Sequence, residues 1–208
     1  MAYDFNQAFS QLAELVKGPY TQEDLLNLAR QVDIASNGNV TVLYSGGIYN
    51  AIAASMVNDP NTRVINKTAA AEFLSSPDFL DALGNTRGVE LQDMLDKSFT
   101  SPEKTSLLNW LYDGKIGPWA ETSKRFVEAT VGEVRIMTTS PRLESVLYET
   151  EIPTLLDKLR DADAITSVDG FSREEILKIG NSYSNPDSWR DALRIESEAN
   201  KATWKRMY

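Results

Sequence analysis

Trp119 and Ser123 stand four residues apart in a segment that ends with Phe126 and Glu128. On a helix that spacing puts both on one face, where an indole ring beside a hydroxyl makes a floor for a flat, polar ligand. The same pair could equally be a core anchor and a helix filler, because large aromatics are mostly core. A second segment runs from Ser145 through Glu149 and Glu151 to Pro153. Taken as extended chain, it points the two carboxylates to one side, either into a site or out to solvent. A third, Leu43-Tyr44-Ser45-Gly46-Gly47-Ile48, has the form of a strand end, a Gly-rich turn and a helix start. Such a turn can offer backbone N–H groups to a phosphate, although many β–α turns share its form.

The missing residue types narrow the chemistry further. The chain has no cysteine and no histidine. Thiol nucleophiles, disulfides, Ser-His-Asp triads and His-ligated metals are therefore excluded. Acid–base and electrostatic work falls to Asp, Glu, Lys or Tyr.

Taken together, these segments resemble the ADP-ribosyl cyclase family of NAD-cleaving enzymes. The best match is a W-x-x-x-S-x-R-F-x-E helix, carried here by Trp119, Ser123, Arg125, Phe126 and Glu128, leading to a strand with Val134 and Met137. An S-x-x-x-x-x-E-x-x-x-L segment follows, matched by Ser145, Glu151 and Leu155. Val42-Leu43-Tyr44-Ser45 is similar to the family's L-L-W-S strand end, with Tyr44 in place of a Trp that flanks nicotinamide. The stretch 164–170 fits the family's final strand. The likeness spans roughly residues 40 to 170 and is densest over 119–155.

The resemblance implies Glu151 as the catalytic residue and Tyr44, Ser45, Trp119, Ser123, Ser145, Val146 and Leu147 as substrate-binding residues. Glu149 is the neighbouring carboxylate, Arg142 a candidate diphosphate partner, and Glu72 the acid nearest Thr68. The family has an acidic residue directly after a Thr; here Ala69, Ala70 and Ala71 intervene. Animal members are disulfide-rich, a framework that a chain without cysteine cannot share.

The implied reaction needs one carboxylate. Ordinary glycoside hydrolysis takes two, one of them to protonate a poor leaving group. The nicotinamide of NAD is already cationic and leaves as a neutral base, so the remaining task is to stabilise positive charge on the ribosyl carbon. An aromatic such as Trp119 can favour that charge. The expected products are nicotinamide and ADP-ribose, with cyclic ADP-ribose where the pocket excludes water. No metal or cofactor is called for; NAD is the substrate. The alternative is a protein of the same fold that binds or sequesters an ADP-ribose-like nucleotide without cleaving it. A helical interaction module with an acidic contact surface is a further rival.

The elements that must position these groups are legible in outline. Apolar residues at helical spacing predict two amphipathic helices before residue 33, the second opened by a Thr21–Asp24 capping box. Residues 40–44 read as a buried β-branched strand, 48–57 as a helix and 63–66 as a short strand. Residues 68–111 read as helical, broken near Pro77, Gly84 and Pro102. Gly117-Pro118 opens a helix over 119–131. Strands follow at 133–138 and 164–168, the latter ended by Asp169-Gly170, and 146–152 is expected to be extended before a helix over 154–160. Strand–helix alternation predicts an α/β fold with a small, mainly parallel sheet flanked by helices. A mainly helical lobe over 1–115 and an α/β lobe over 116–208 are expected, tightly joined.

The 208 residues carry a net charge of −9 with scattered positive residues. That argues against nucleic acid as a partner. No apolar run is long enough for a membrane span, and no signal-peptide pattern opens the chain. A soluble protein is expected, cytoplasmic or secreted without a cleavable signal. Free NAD hydrolysis is hazardous inside a cell, which points to a toxin, an effector or a defence-linked protein, with an immunity or regulatory protein as partner.

Overall fold

The computed structural model describes Ser10, Glu14 and residues 21–45, 59–91, 101–138, 144–161 and 163–182. Ser10 and Glu14 are helical, while the rest of the first expected helix, the Gly46-Gly47 turn, the helix at 48–57 and Arg142 lie outside the described residues.

Helix α1 (Gln22–Gln31) begins at the expected capping box. The Thr21 hydroxyl accepts from the Asp24 N–H at 3.3 Å, and the Asp24 carboxylate accepts from the Thr21 N–H at 2.7 Å. Strand β1 (Val40–Ser45) leads through β2 (Thr62–Arg63) and a 3-10 turn (Ile65–Lys67) to α2 (Ala69–Leu74), α3 (Pro77–Asn85) and α4 (Pro102–Leu111). Helix α5 (Pro118–Glu128), β3 (Gly132–Thr138), a π-helical turn (Leu147–Glu151), α6 (Ile152–Asp161), β4 (Ile165–Val168), β5 (Phe171–Ser172) and α7 (Arg173–Ser182) complete the described chain. This is the expected α/β fold, with a five-stranded sheet in the order β2-β1-β3-β4-β5.

The first four strands of that order are parallel, and only β4–β5 is antiparallel. β1 lies inside the sheet, in register with β3 from Val40↔Glu133 to Ser45↔Thr138. It is buried on both faces, as parallel strands usually are: Leu43 packs in one apolar cluster and Val42 in another. β2 is shorter than the expected 63–66 strand, since Ile65 already enters the 3-10 turn. Asp169-Gly170 does not end the sheet. Both residues have positive φ, 51° and 85°, the geometry of a two-residue hairpin turn, and β5 folds back on β4.

One core cluster joins the helices around Leu25, Phe73, Phe79, Leu83 and Leu107. The second lies against the sheet, around Leu43, Phe126, Val134, Ile136 and Leu155. Trp119 packs against both. Arg125, on the same helix, donates to the carbonyls of Ala29 (3.0 Å) and Val32 (2.8 Å). It thereby satisfies carbonyls that the end of α1 leaves open.

Candidate active site

Two features of the topology converge on the end of β1. From β1 the chain passes to β2 on one side, and the next strand, β3, lies on the other. The carboxyl ends of β1 and β3 therefore meet at a topological switch point, the position at which open α/β sheets bind ligands. Tyr44 and Ser45 end β1 there, paired with Met137 and Thr138. The π-helical turn packs against both β1 and α5.

Helix α5 is set by its first two residues. Pro118 occupies the first helical turn, where its missing N–H costs nothing. Gly117 precedes it, and a Cβ there would lie 2.3 Å from the Trp110 carbonyl oxygen. The helix then turns Ser123 inward, 3% exposed, one turn after the half-buried Trp119. Opposite it, Glu151 is 6% exposed and takes a hydrogen bond from Ser123. Burial pushes the Glu151 carboxyl up to about 7, with the Ser123 bond opposing the shift. Its Oε2 has no hydrogen-bond partner.

Tyr44 is close enough to feel the Glu151 charge. Its phenol is pushed up to about 12 by burial first and by Glu151 second, and the phenol O–H donates to the Asn66 side-chain oxygen. The structure thus brings Tyr44, Ser123 and Glu151 together, with Trp119 one turn before Ser123 on α5. Three of the seven buried side-chain polar atoms without a partner among the described residues are Trp119 Nε1, Ser145 Oγ and Glu151 Oε2. Most buried polar groups in folded proteins are bonded, and these three unbonded atoms belong to residues singled out by sequence.

The expected extended segment at 146–152 is overturned. Val146 is helical, Leu147–Glu151 form a π-helical turn, and α6 continues directly from it. Pro153 gives the physical reason. It has no N–H to return to the carbonyl four residues back and its ring crowds that carbonyl. The chain widens instead, and Ile152 N–H donates to the Leu147 carbonyl five residues back. Glu149 and Glu151 consequently do not share a side. Glu149 Oε2 pairs with Lys115 Nζ at 3.1 Å near the surface, while Glu151 turns inward.

The other sequence-derived candidates fall as follows. Ser45 is buried at the strand end, Ser145 and Val146 are half-buried, and Leu147 is enclosed in the sheet-side core. Glu72 is exposed on α2. Sequence reasoning passed over Asn66, which lies just beyond β2 and holds the Tyr44 phenol. A polar residue just beyond the carboxyl end of the strand next to β1 was the available signal. It also passed over Thr150, whose hydroxyl donates to the Gly114 carbonyl at 2.5 Å.

The fold and the site define an α/β protein with a buried, incompletely bonded glutamate beside aromatic and hydroxyl groups at its switch point. No family model, curated protein or solved structure matches the chain. Among the described residues no helix is long and apolar enough to cross a membrane.

Proposed function

We propose that this protein cleaves the nicotinamide–ribose bond of NAD, releasing nicotinamide and ADP-ribose. The observation that carries this reading is the Glu151 carboxyl, buried, held through Ser123, with an unpaired oxygen and the Tyr44 ring near it.

In this scheme nicotinamide lies against Trp119 and Tyr44. The C1′–N bond breaks with its electron pair passing to the ring nitrogen, and nicotinamide leaves neutral. Positive charge develops on the ribosyl carbon, where the Glu151 carboxylate stabilises it. Water adds to that carbon and gives up a proton, completing ADP-ribose. The burial that raises the Glu151 pKa does not prevent this role. A cationic pyridinium brought beside the carboxyl favours its ionised form. Trp119 Nε1 and Ser145 Oγ are free to bond ribose or phosphate oxygens. A toxin or effector role, with an immunity or regulatory partner, belongs to the same proposal.

Chromatography of NAD incubated with purified protein tests it. Wild type is expected to release nicotinamide. Glu151→Gln should lower turnover by about 10²–10³, with a much smaller change in KM. Glu149→Gln should leave turnover within a few-fold, because the Glu149 carboxylate is turned to Lys115. Wild-type protein that binds NAD and never yields nicotinamide would replace the enzyme with a nucleotide-binding protein.

A further inference from the structure

We propose that the loop joining α4 to α5 is the positioning element for Glu151, acting through Thr150 on Gly114 and Glu149 on Lys115. The inference rests on Glu151 as the reactive carboxylate of the reading above.

A π-helical turn is rare and loosely determined by its own hydrogen bonds, so the direction of a side chain on it has to be fixed from outside. Three consecutive side chains do this. Glu149 reaches Lys115 at 3.1 Å, Thr150 donates to Gly114 O at 2.5 Å, and Glu151 bonds Ser123. The first two anchors belong to one short loop, residues 112–117, and the third to the helix that this loop begins. The middle anchor is the most enclosed of the two on the loop. Thr150 is 8% exposed and its bond spans 36 positions of sequence, whereas the Lys115 side chain is 69% exposed and an ion pair so exposed is worth little alone.

Gly114 fits this role sterically. A Cβ on it would stand 2.6 Å from the Glu144 carbonyl oxygen and 3.0 Å from Glu149 Cβ. The loop backbone therefore lies directly on the segment that carries Glu151, and only glycine allows that approach. Pro153 widens the turn from one side, and the loop seats it from the other. Thr150 touches no substrate in this arrangement. It acts through Glu151.

The test compares Thr150→Val, which keeps the branched shape and removes the donor, with Thr150→Ser, which keeps the hydroxyl. Gly114→Ala is the independent variant from the loop side. The readouts are the Glu151 carboxyl titration followed by carbon-13 NMR, and kcat and KM for NAD. Thr150→Val and Gly114→Ala are expected to move the Glu151 titration from about 7 toward the ordinary carboxylate range, as the carboxyl gains access to water. They should lower kcat by up to about 10²-fold with little change in KM, the cost of an ångström-scale misplacement. Thr150→Ser should restore both readouts to near wild type. A folded Thr150→Val protein with unchanged Glu151 titration overturns the proposal, as does a titration shift that Thr150→Ser fails to reverse. If the titration responds as expected while wild type releases no nicotinamide, the positioning role stands and the NAD-cleaving reading falls.

Discussion

Glu151 ties stability to a proton, and on the proposed reading it ties activity to the same proton in the opposite sense. Its folded-state pKa of about 7 lies above the ordinary carboxylate value of 4.5. The folded protein therefore holds this proton more tightly than the unfolded chain. The contribution to stability is fully present below about pH 4.5 and is lost as pH rises through about 7. A gap of that size corresponds to roughly 3 kcal/mol at most. Glu151→Gln, which cannot ionise, should therefore be more stable than wild type at pH 8, by about 1–3 kcal/mol. At pH 5 the two should differ little. Urea denaturation at both pH values checks this, and equal stabilities at pH 8 would mean that the carboxyl is not desolvated. Asp169, also pushed up to about 7 by burial, titrates in both proteins and cancels. Activity should run the other way. If the ionised carboxylate is the working form, kcat/KM rises with pH through about 7. A profile flat from pH 5.5 to 8.5 would assign the charge stabilisation to another group.

Among the elements, the π-helical turn was the hardest to see in the sequence. The strands were legible because Val40 to Tyr44, and Val134 to Met137 apart from Arg135, are β-branched or apolar runs that are largely buried. Helix α5 was legible because Gly117-Pro118 marks its start. Over 146–152 two periods compete. Val146, Tyr148, Thr150 and Ile152 alternate with other types and include β-branched residues, which reads as strand. Yet the buried set is Leu147, Tyr148, Thr150, Glu151, Ile152 and Leu155, in which 147, 148, 151, 152 and 155 keep a helical spacing. The deciding contacts, Thr150 with Gly114 and Ser123 with Glu151, join distant parts of the chain and leave no local pattern. β5 escaped notice because two residues are too short to show a period. The account of the turn makes its own prediction. Pro153→Ala restores an N–H that can bond four residues back, so the turn should tighten toward an ordinary helix. The melting temperature should hold or rise, and turnover should drop at least about tenfold as the Glu151 carboxyl is carried off its position. Unaltered turnover would show that Pro153 does not shape the site.

At the scale of the molecule, α5 is the member through which the helical and sheet-side cores meet. Trp119 packs against both, and Arg125 spans to the end of α1 with two bonds to carbonyls. This gives the Arg of the W-x-x-x-S-x-R-F motif a structural duty that its position in a catalytic-looking segment did not suggest. Arg125→Ala leaves two carbonyls without their charged donor. Bonds to charged groups are each worth about 1.5–3 kcal/mol, and Arg125 is only partly buried, so a loss on the order of 2–4 kcal/mol, below the sum of two such bonds, is expected by urea denaturation. The fraction that remains folded should turn over NAD at close to the wild-type rate. Arg125→Lys should recover only part of the loss, because an ammonium lacks the planar fork that reaches both oxygens.

The place of β1 in the sheet also fixes when the molecule can come into being. Its inner edge is completed by β3, roughly ninety residues further along the chain, and contacts of such span are slow to form because a long loop must close first. During synthesis, the apolar strand that ends in Tyr44 has to wait for β3 to leave the ribosome before its inner edge is paired. Until then that edge presents unpaired backbone beside exposed apolar side chains, the kind of surface that chaperones hold and that aggregation consumes. The sheet end that carries Tyr44 and Ser45 is made by β1 paired with β3, so no nascent fragment that ends before β3 contains the whole of it.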